Sequence, residues 1–296
     1  MPIKSLSFQC LAACLALTLT ATAPACTLWA TAGQQAAGGG TILSKNRDWQ
    51  PDQHQVLKYD FPKHGIPYFG LYAVDGRARG IKSGVNRQGL SAVTASASSI
   101  PGSMRKSQPG KHGVLRQILS HYGSVDELAA HADEVFSGAR AMFLLVSDRK
   151  KVLVAEIGLQ GRYTYKVLDQ GSTAHTNYYL DAALADFNMK IGRSSATRYA
   201  RVNQLIDQSP RPYTLARYSA ISRDRHDGPN NSLWRTGKKE ATLSSWIIAS
   251  PADGPQTLQV VMNNPGAPTT TQRYTLDAAF WAQGASAAGK LLSAPK

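Results

Sequence analysis

The sequence predicts an α+β fold in which largely antiparallel sheets are flanked by helices. Three features lead there. Strand-like runs fall before and after helical segments, and the helices come in blocks rather than after each strand, which disfavours a doubly wound parallel sheet. Turn residues join successive strands at short range. No sharp linker divides the chain of 296 residues.

Taken in order, residues 26–31 read as a strand of alternating character. Gly38, Gly39 and Gly40 mark a turn, and residues 41–46 return as a second strand. Further strands are expected at 68–74, 81–85 and 90–95, the last two joined by a turn through Asn86 and Gly89. Residues 96–113 are rich in Ser, Pro and Gly and read as a mobile loop. Val114, Leu115, Ile118, Leu119 and Tyr122 form the stripe of an amphipathic helix. Ser124 and Glu127 have the spacing of a capping box, ahead of Leu128, Ala129, Ala132 and Val135. Strands resume at 141–146, 152–157 and 163–168. A helix begins at Ser195 or Ala196, with Tyr199, Val202, Leu205 and Ile206 apolar. Strands close the pattern at 244–249, 258–262 and 272–276. The Ala-rich tail from about residue 282 is expected to be partly disordered.

The N-terminus carries a separate signal. Lys4 precedes a mostly apolar stretch over residues 6–19, which ends in Ala23, Pro24 and Ala25. A charged start, a short apolar middle and a small-x-small end read as a secretory signal peptide, cut between Ala25 and Cys26. Residues 1–25 are then removed and 26–296 form one catalytic domain, exported to the periplasm or beyond. A competing reading takes Leu11 to Cys14 as a lipobox, but more apolar sequence follows Cys14.

Of the cysteines, Cys10 and Cys14 leave with the signal, and Cys26 becomes the first residue. A lone thiol in an exported protein invites a functional explanation. At a chain terminus the explanation is chemical. A free α-amine has a pKa of about 7.7–8.0, near the value a general base needs at neutral pH. An N-terminal Cys therefore carries nucleophile and base together, and export would activate it.

Composition bounds the partners. The net charge is +14, but no zinc-finger spacing, aromatic RNA-binding motif or long basic tail accompanies it. A solvated basic surface is the simpler reading, with no nucleic acid partner. No apolar run of membrane-spanning length follows the signal. The His residues show no metal-ligand spacing, so no metal or other cofactor is expected. Homo-oligomerisation is left open.

Several short motifs then fall in a telling order: Cys26-Thr27; Lys45-Asn46-Arg47-Asp48-Trp49; Gly84-Val85-Asn86-Arg87-Gln88-Gly89-Leu90; Thr176-Asn177; and Ser194-Ser195-Ala196-Thr197-Arg198 with Arg201. They resemble the N-terminal-nucleophile hydrolases. More narrowly, they resemble the cysteine branch of choloylglycine hydrolases, penicillin V acylases and isopenicillin-N acyltransferase-like enzymes. The resemblance implies a four-layer αββα sandwich and hydrolysis of a linear, non-peptide amide through a thioester on Cys26. It implies that Asp48 binds the α-amine, that Asn177 donates to the oxyanion, and that Arg198 lies near Asp48. The family's arginine falls on Lys45, a departure that matters because Lys lacks the guanidinium fork. A second oxyanion donor falls within about one residue of Ser96, through its backbone N–H. Trp49 reads as core or substrate-pocket wall, and Asn86 as a structural turn residue. Acyl transfer to an amine, and an inactive binding protein on the same fold, are the alternatives. A Cys-His dyad through His175 is a further one.

Overall fold

A computed structural model describes residues 25–76, 78–108, 110, 113–286 and 291–292. The signal-peptide reading of residues 1–24, with Cys10 and Cys14, lies outside them. The strands are β1 (Thr27–Ala32), β2 (Thr41–Trp49), β3 (Gln55–Asp60), β4 (Tyr68–Ala73), β5 (Gly80–Asn86), β6 (Ser91–Ser96), β7 (Met142–Ser147), β8 (Val152–Ile157), β9 (Tyr163–Leu168), β10 (Gly171–His175), β11 (Ala241–Ser250), β12 (Gln256–Met262), β13 (Thr270–Leu276) and β14 (Leu291–Leu292). The helices are α1 (Gly102–Ser107), α2 (Val114–His121), α3 (Val125–Ala130), α4 (Ala132–Phe136), α5 (Arg193–Asp207), α6 (Leu215–Ser222), α7 (Gly228–Asn231) and α8 (Ala278–Ser286).

Two sheets form among the described residues. One has the order β10-β1-β2-β11-β12-β13, the other β14-β3-β4-β5-β6-β7-β8-β9. Neighbouring strands in both are antiparallel. Three apolar layers glue the sandwich. Leu28, Leu43, Phe69, Phe143, Trp246 and Val260 pack between the sheets. Ile118, Leu119, Leu128 and Phe136 pack helices α2 to α4 on Leu90, Leu144 and Leu153. Val202, Ile206 and Tyr218 pack α5 and α6 on Trp29, Ile42 and Ile247. The layers are therefore helix, sheet, sheet, helix, the αββα arrangement expected. Truncating a fully buried residue such as Ile118 to Ala costs about 2–5 kcal/mol.

The local signals act as read. Ser124 Oγ accepts from Glu127 N at 3.1 Å, and Glu127 Oε2 accepts from Gly123 N at 2.7 Å. Asn86 does more than turn the chain. Its Oδ1 accepts from Gln88 N and Leu90 N, while its Nδ2 donates to Leu119 O and Tyr122 O, tying off the end of α2. Gly89 takes φ +95, the left-handed conformation that this turn requires of a glycine.

One expectation needs correcting. The 96–113 segment is not all loop: α1 forms within it, and Gln108 Nε2 donates to Gly158 O. Of the tail from about residue 282, the first part lies in α8, which Phe280 and Trp281 anchor in an aromatic cluster with Tyr59 and Phe69, while residues 287–290 and 293–296 lie outside the described residues. Gly284 then lies so close to Tyr59 that any Cβ would fall 2.3 Å from the ring. No helix among the described residues is long and apolar enough to cross a membrane.

Candidate active site

Strand alternation splits the site around Cys26 into two sides. β1 pairs β2 with Thr27 opposite Asn46 and Leu28 opposite Lys45. Continuing that register places Cys26 opposite Arg47 and Ala25 opposite Asp48. Side chains of paired residues share a face. Cys26, Lys45 and Arg47 thus face the space between the sheets. Thr27, Asn46 and Asp48 face the layer of α5 and α6.

On the inter-sheet side the thiol is buried, 7 % exposed. Its surroundings are cationic. Lys45, 2 % exposed, donates from Nζ to Lys82 O at 2.6 Å. Lys82 can offer that carbonyl because it is the extra residue of a β-bulge: Leu71 pairs Ser83 while Tyr72 pairs Ile81. Burial pushes Lys45 down to about 8, against the pull of the thiol. Burial, then the charges of Arg47 and Lys45, take Lys82 down to about 7. Arg47 hydrogen-bonds Gln53 Oε1, and its Nη1 is buried without a partner. Trp49 lies beneath the Arg47 guanidinium, 5.8 Å from ring centroid to Cζ. It is not among the residues that line the cavity described below.

The other side is a network centred on Arg198. Its Nη1 donates to Cys26 O at 2.8 Å and Thr27 Oγ1 at 2.5 Å, and its Nη2 donates to Asn177 Oδ1 at 3.1 Å. Fixing Asn177 Oδ1 in this way orients the amide. Its Nδ2 donates to Ser96 O at 2.9 Å, which leaves one amide N–H for another acceptor. Ser96 therefore meets Asn177 through its carbonyl. Asp48 is fully buried. Its Oδ1 accepts from Thr242 Oγ1 at 2.7 Å, and Arg235 Nη1 stands 3.8 Å from Oδ2. Asp48 Oδ2 has no hydrogen-bond partner. Burial raises this carboxyl to about 6, opposed by the charges of Arg198 and Arg235.

Asn46, between Lys45 and Arg47, is structural. It donates to Ser222 O and Leu233 O and accepts from Ser222 Oγ. His175 is turned away from a dyad role. Its Nε2 faces Glu156 Oε1 and its Nδ1 faces Thr176 O, both at 3.1 Å. Glu156 also accepts from Leu180 N and Asp181 N, so it clamps the turn that carries Asn177. Sequence reasoning missed Arg235, Ser99, Lys82 and Glu156 as parts of this region.

A cavity of about 1000 Å³ opens beside the Arg198 network, and Ala25, Asn177, Ser195 and Arg235 line it. Cys26 is not on that lining, whereas the residue bonded to its nitrogen is.

The model of a protein family described as acyl-coenzyme A:6-aminopenicillanic acid acyl-transferase matches residues 36–267. The chain belongs to this acyl-transferase family. The matched segment holds Lys45, Asp48, Asn177 and Arg198 and begins after Cys26. Two solved structures share the fold of this family member. A mutant conjugated bile acid hydrolase from Clostridium perfringens is 12% identical with a TM-score of 0.50, over 85% of this chain and 97% of that one. A Caenorhabditis elegans N-acylethanolamine-hydrolyzing acid amidase ortholog is 15% identical with a TM-score of 0.53, over 77% of this chain and 93% of that one. No curated protein matches the chain in sequence. The fold is thus the N-terminal-nucleophile hydrolase sandwich that the motifs implied.

Proposed function

We propose that the chain is exported, loses residues 1–25, and hydrolyses a linear non-peptide amide through a thioester on Cys26. The observation that carries this reading is Asp48 Oδ2, a buried carboxylate oxygen without a hydrogen-bond partner. Register sets it across from Ala25, beside the nitrogen that cleavage would free. An α-ammonium there supplies the missing donor.

The chemistry follows from the two sides. The neutral α-amine takes the thiol proton as Sγ attacks the carbonyl carbon. Lys45 and Arg47 lie on the thiol's side and favour negative charge at sulfur. The oxyanion takes the spare N–H of Asn177, a donor worth about 3–4 kcal/mol. The C–N bond then breaks, and the α-ammonium returns its proton to the leaving amine. Water attacks the thioester, releases the acid and restores the thiol. Arg198 acts as a positioning residue, because it holds the Cys26 carbonyl and the Asn177 amide at once.

The family match favours a second reading, transfer of the same acyl group to an amine acceptor. Product analysis separates the two. Free acid as the main product with and without added amine supports hydrolysis. A new amide that replaces the acid when amine is added supports transfer. Turnover of N-acyl amides by Cys26→Ala at the wild-type rate would falsify both.

A further inference from the structure

Asn177 reaches across the space between the two sheets. It follows β10 in the six-stranded sheet, and its Nδ2 donates to Ser96 O, at the end of β6 in the eight-stranded one. The bearing of its spare N–H therefore depends on how far apart the sheets stand at this point. Among the described residues no strand pairing joins the two sheets, so no ladder fixes that spacing. Asn177 itself lies in irregular backbone beyond the end of β10.

A buried polar pair crosses the same space. Glu156 on β8 lies opposite Phe143 on β7, and Phe143 lies opposite Ala95, the residue before Ser96. Alternation puts Glu156 on the face of Val152 and Val154, which join the apolar layer between the sheets. His175 on β10 lies opposite Leu28 of β1, which belongs to that layer too. His175 Nε2 meets Glu156 Oε1 at 3.1 Å, and both residues are buried. The contact ties one sheet to the other, with the Phe143 ring centre 4.2 Å from that of the imidazole.

The pair also grips Asn177 from both sides. His175 stands two residues before it. Leu180 N and Asp181 N, three and four residues after it, donate to Glu156 Oε1 at 3.1 and 3.2 Å. An acceptor faces each imidazole nitrogen, Glu156 Oε1 and Thr176 O, so a ring with hydrogen on both serves both. Each of these partners then donates to the carboxylate, and a glutamine would turn its NH2 toward some of them. A buried pair of this kind adds little cohesion over apolar side chains of the same size. It does fix distance and direction.

We propose that Glu156 and His175 are positioning residues, whose contact between the sheets sets where Asn177 holds its spare N–H for the oxyanion. This rests on the reading of Cys26 as the nucleophile of an amidase. A donor moved by about 1 Å can cost roughly a hundredfold in rate. Neither residue lines the cavity beside Asn177, so substrate binding there is not their task.

The test uses the mature protein, one N-acyl amide and the variant Glu156→Gln. We expect kcat to fall about tenfold or more, with KM within about threefold of wild type. Alkylation of Cys26 by iodoacetamide builds no oxyanion, and its rate should stay within about threefold. In an Asn177→Ala background the further change Glu156→Gln should lower kcat by less than about threefold, because the two residues act as one. His175→Gln should show the same pattern, and it carries the test if Glu156→Gln does not fold. Wild-type kcat in both variants overturns the proposal. So does an equal loss of kcat with and without the Asn177 amide, or alkylation that falls in step with kcat, as a merely loosened fold would give. In each of those cases the amidase reading stands. Absence of amide turnover by the wild-type protein overturns that reading, and the proposal with it.

Discussion

Lys45→Met should make the protein more stable and less active, and the stability gain should disappear in alkali. Lys45 is 2 % exposed, and burial takes its pKa from 10.5 to about 8. That drop corresponds to about 3 kcal/mol, the cost of keeping the ammonium charged in the fold at neutral pH. The sign follows from proton counts. Between about pH 8 and 10.5 the unfolded chain binds the proton and the native chain does not, so wild-type stability rises with pH. Below about pH 8 the penalty is complete. Methionine has a similar length and no charge, so it removes the penalty. It also leaves Lys82 O without its donor, which costs about 1–2 kcal/mol. The net expectation is a gain of about 1–2 kcal/mol at pH 7, turning to a small loss above about pH 10.5. Urea unfolding of both proteins from pH 6 to 10.5 measures it. The same change removes a cation from the thiol's side, and kcat/KM should fall roughly tenfold or more. A variant less stable than wild type at pH 7 by 1 kcal/mol or more would refute the reasoning.

Asp48→Asn should change sign with processing. Burial raises this carboxyl from 3.8 to about 6, so the ionised group weighs against folding, and stability falls as pH rises between those values. In protein that retains residues before Cys26, the variant should gain up to about 3 kcal/mol at pH 7 by urea unfolding. In mature protein it should lose stability, because the α-ammonium loses its partner. The same direction in both forms contradicts the pairing. Arg198→Lys should lower the melting temperature by about 6–15 °C, since a lysine cannot hold Cys26 O, Thr27 Oγ1 and Asn177 Oδ1 together. A calorimetric shift under 2 °C would contradict that. The pH profile of kcat/KM should fall above about pH 8 as Lys45 loses its proton. Lys45→Arg should move that limb upward, and an unmoved limb assigns it to another group.

Much of this was legible in the sequence because the signals were local. Apolar stripes located α2 and α5, and the Ser124 cap located α3. Asn86 and Gly89 marked a turn that the fold uses. The candidate site was legible where short motifs named residues, as with Asp48, Asn177 and Arg198. It was not legible where chemistry came from tertiary context. Arg235 belongs to no pattern, yet the antiparallel pairing of β2 and β11 brings the residues that follow it to Asp48. Lys82 matters because a bulge frees its carbonyl, and no periodicity reveals a bulge. Strand β10 escaped notice because Gly171 to His175 lacks a strong apolar alternation, although it leads into Asn177. Trp49 shows the converse. An aromatic beside a motif left core and pocket wall both open, and only the fold shows the Arg47 guanidinium over its ring.

The central claim is that Cys26 becomes the first residue and that its amine acts on its own thiol. Intact mass and N-terminal sequencing of the exported protein test this most directly. The account predicts a single mature species that begins at Cys26. An active species that begins at any other residue leaves no free amine on Cys26 and contradicts it.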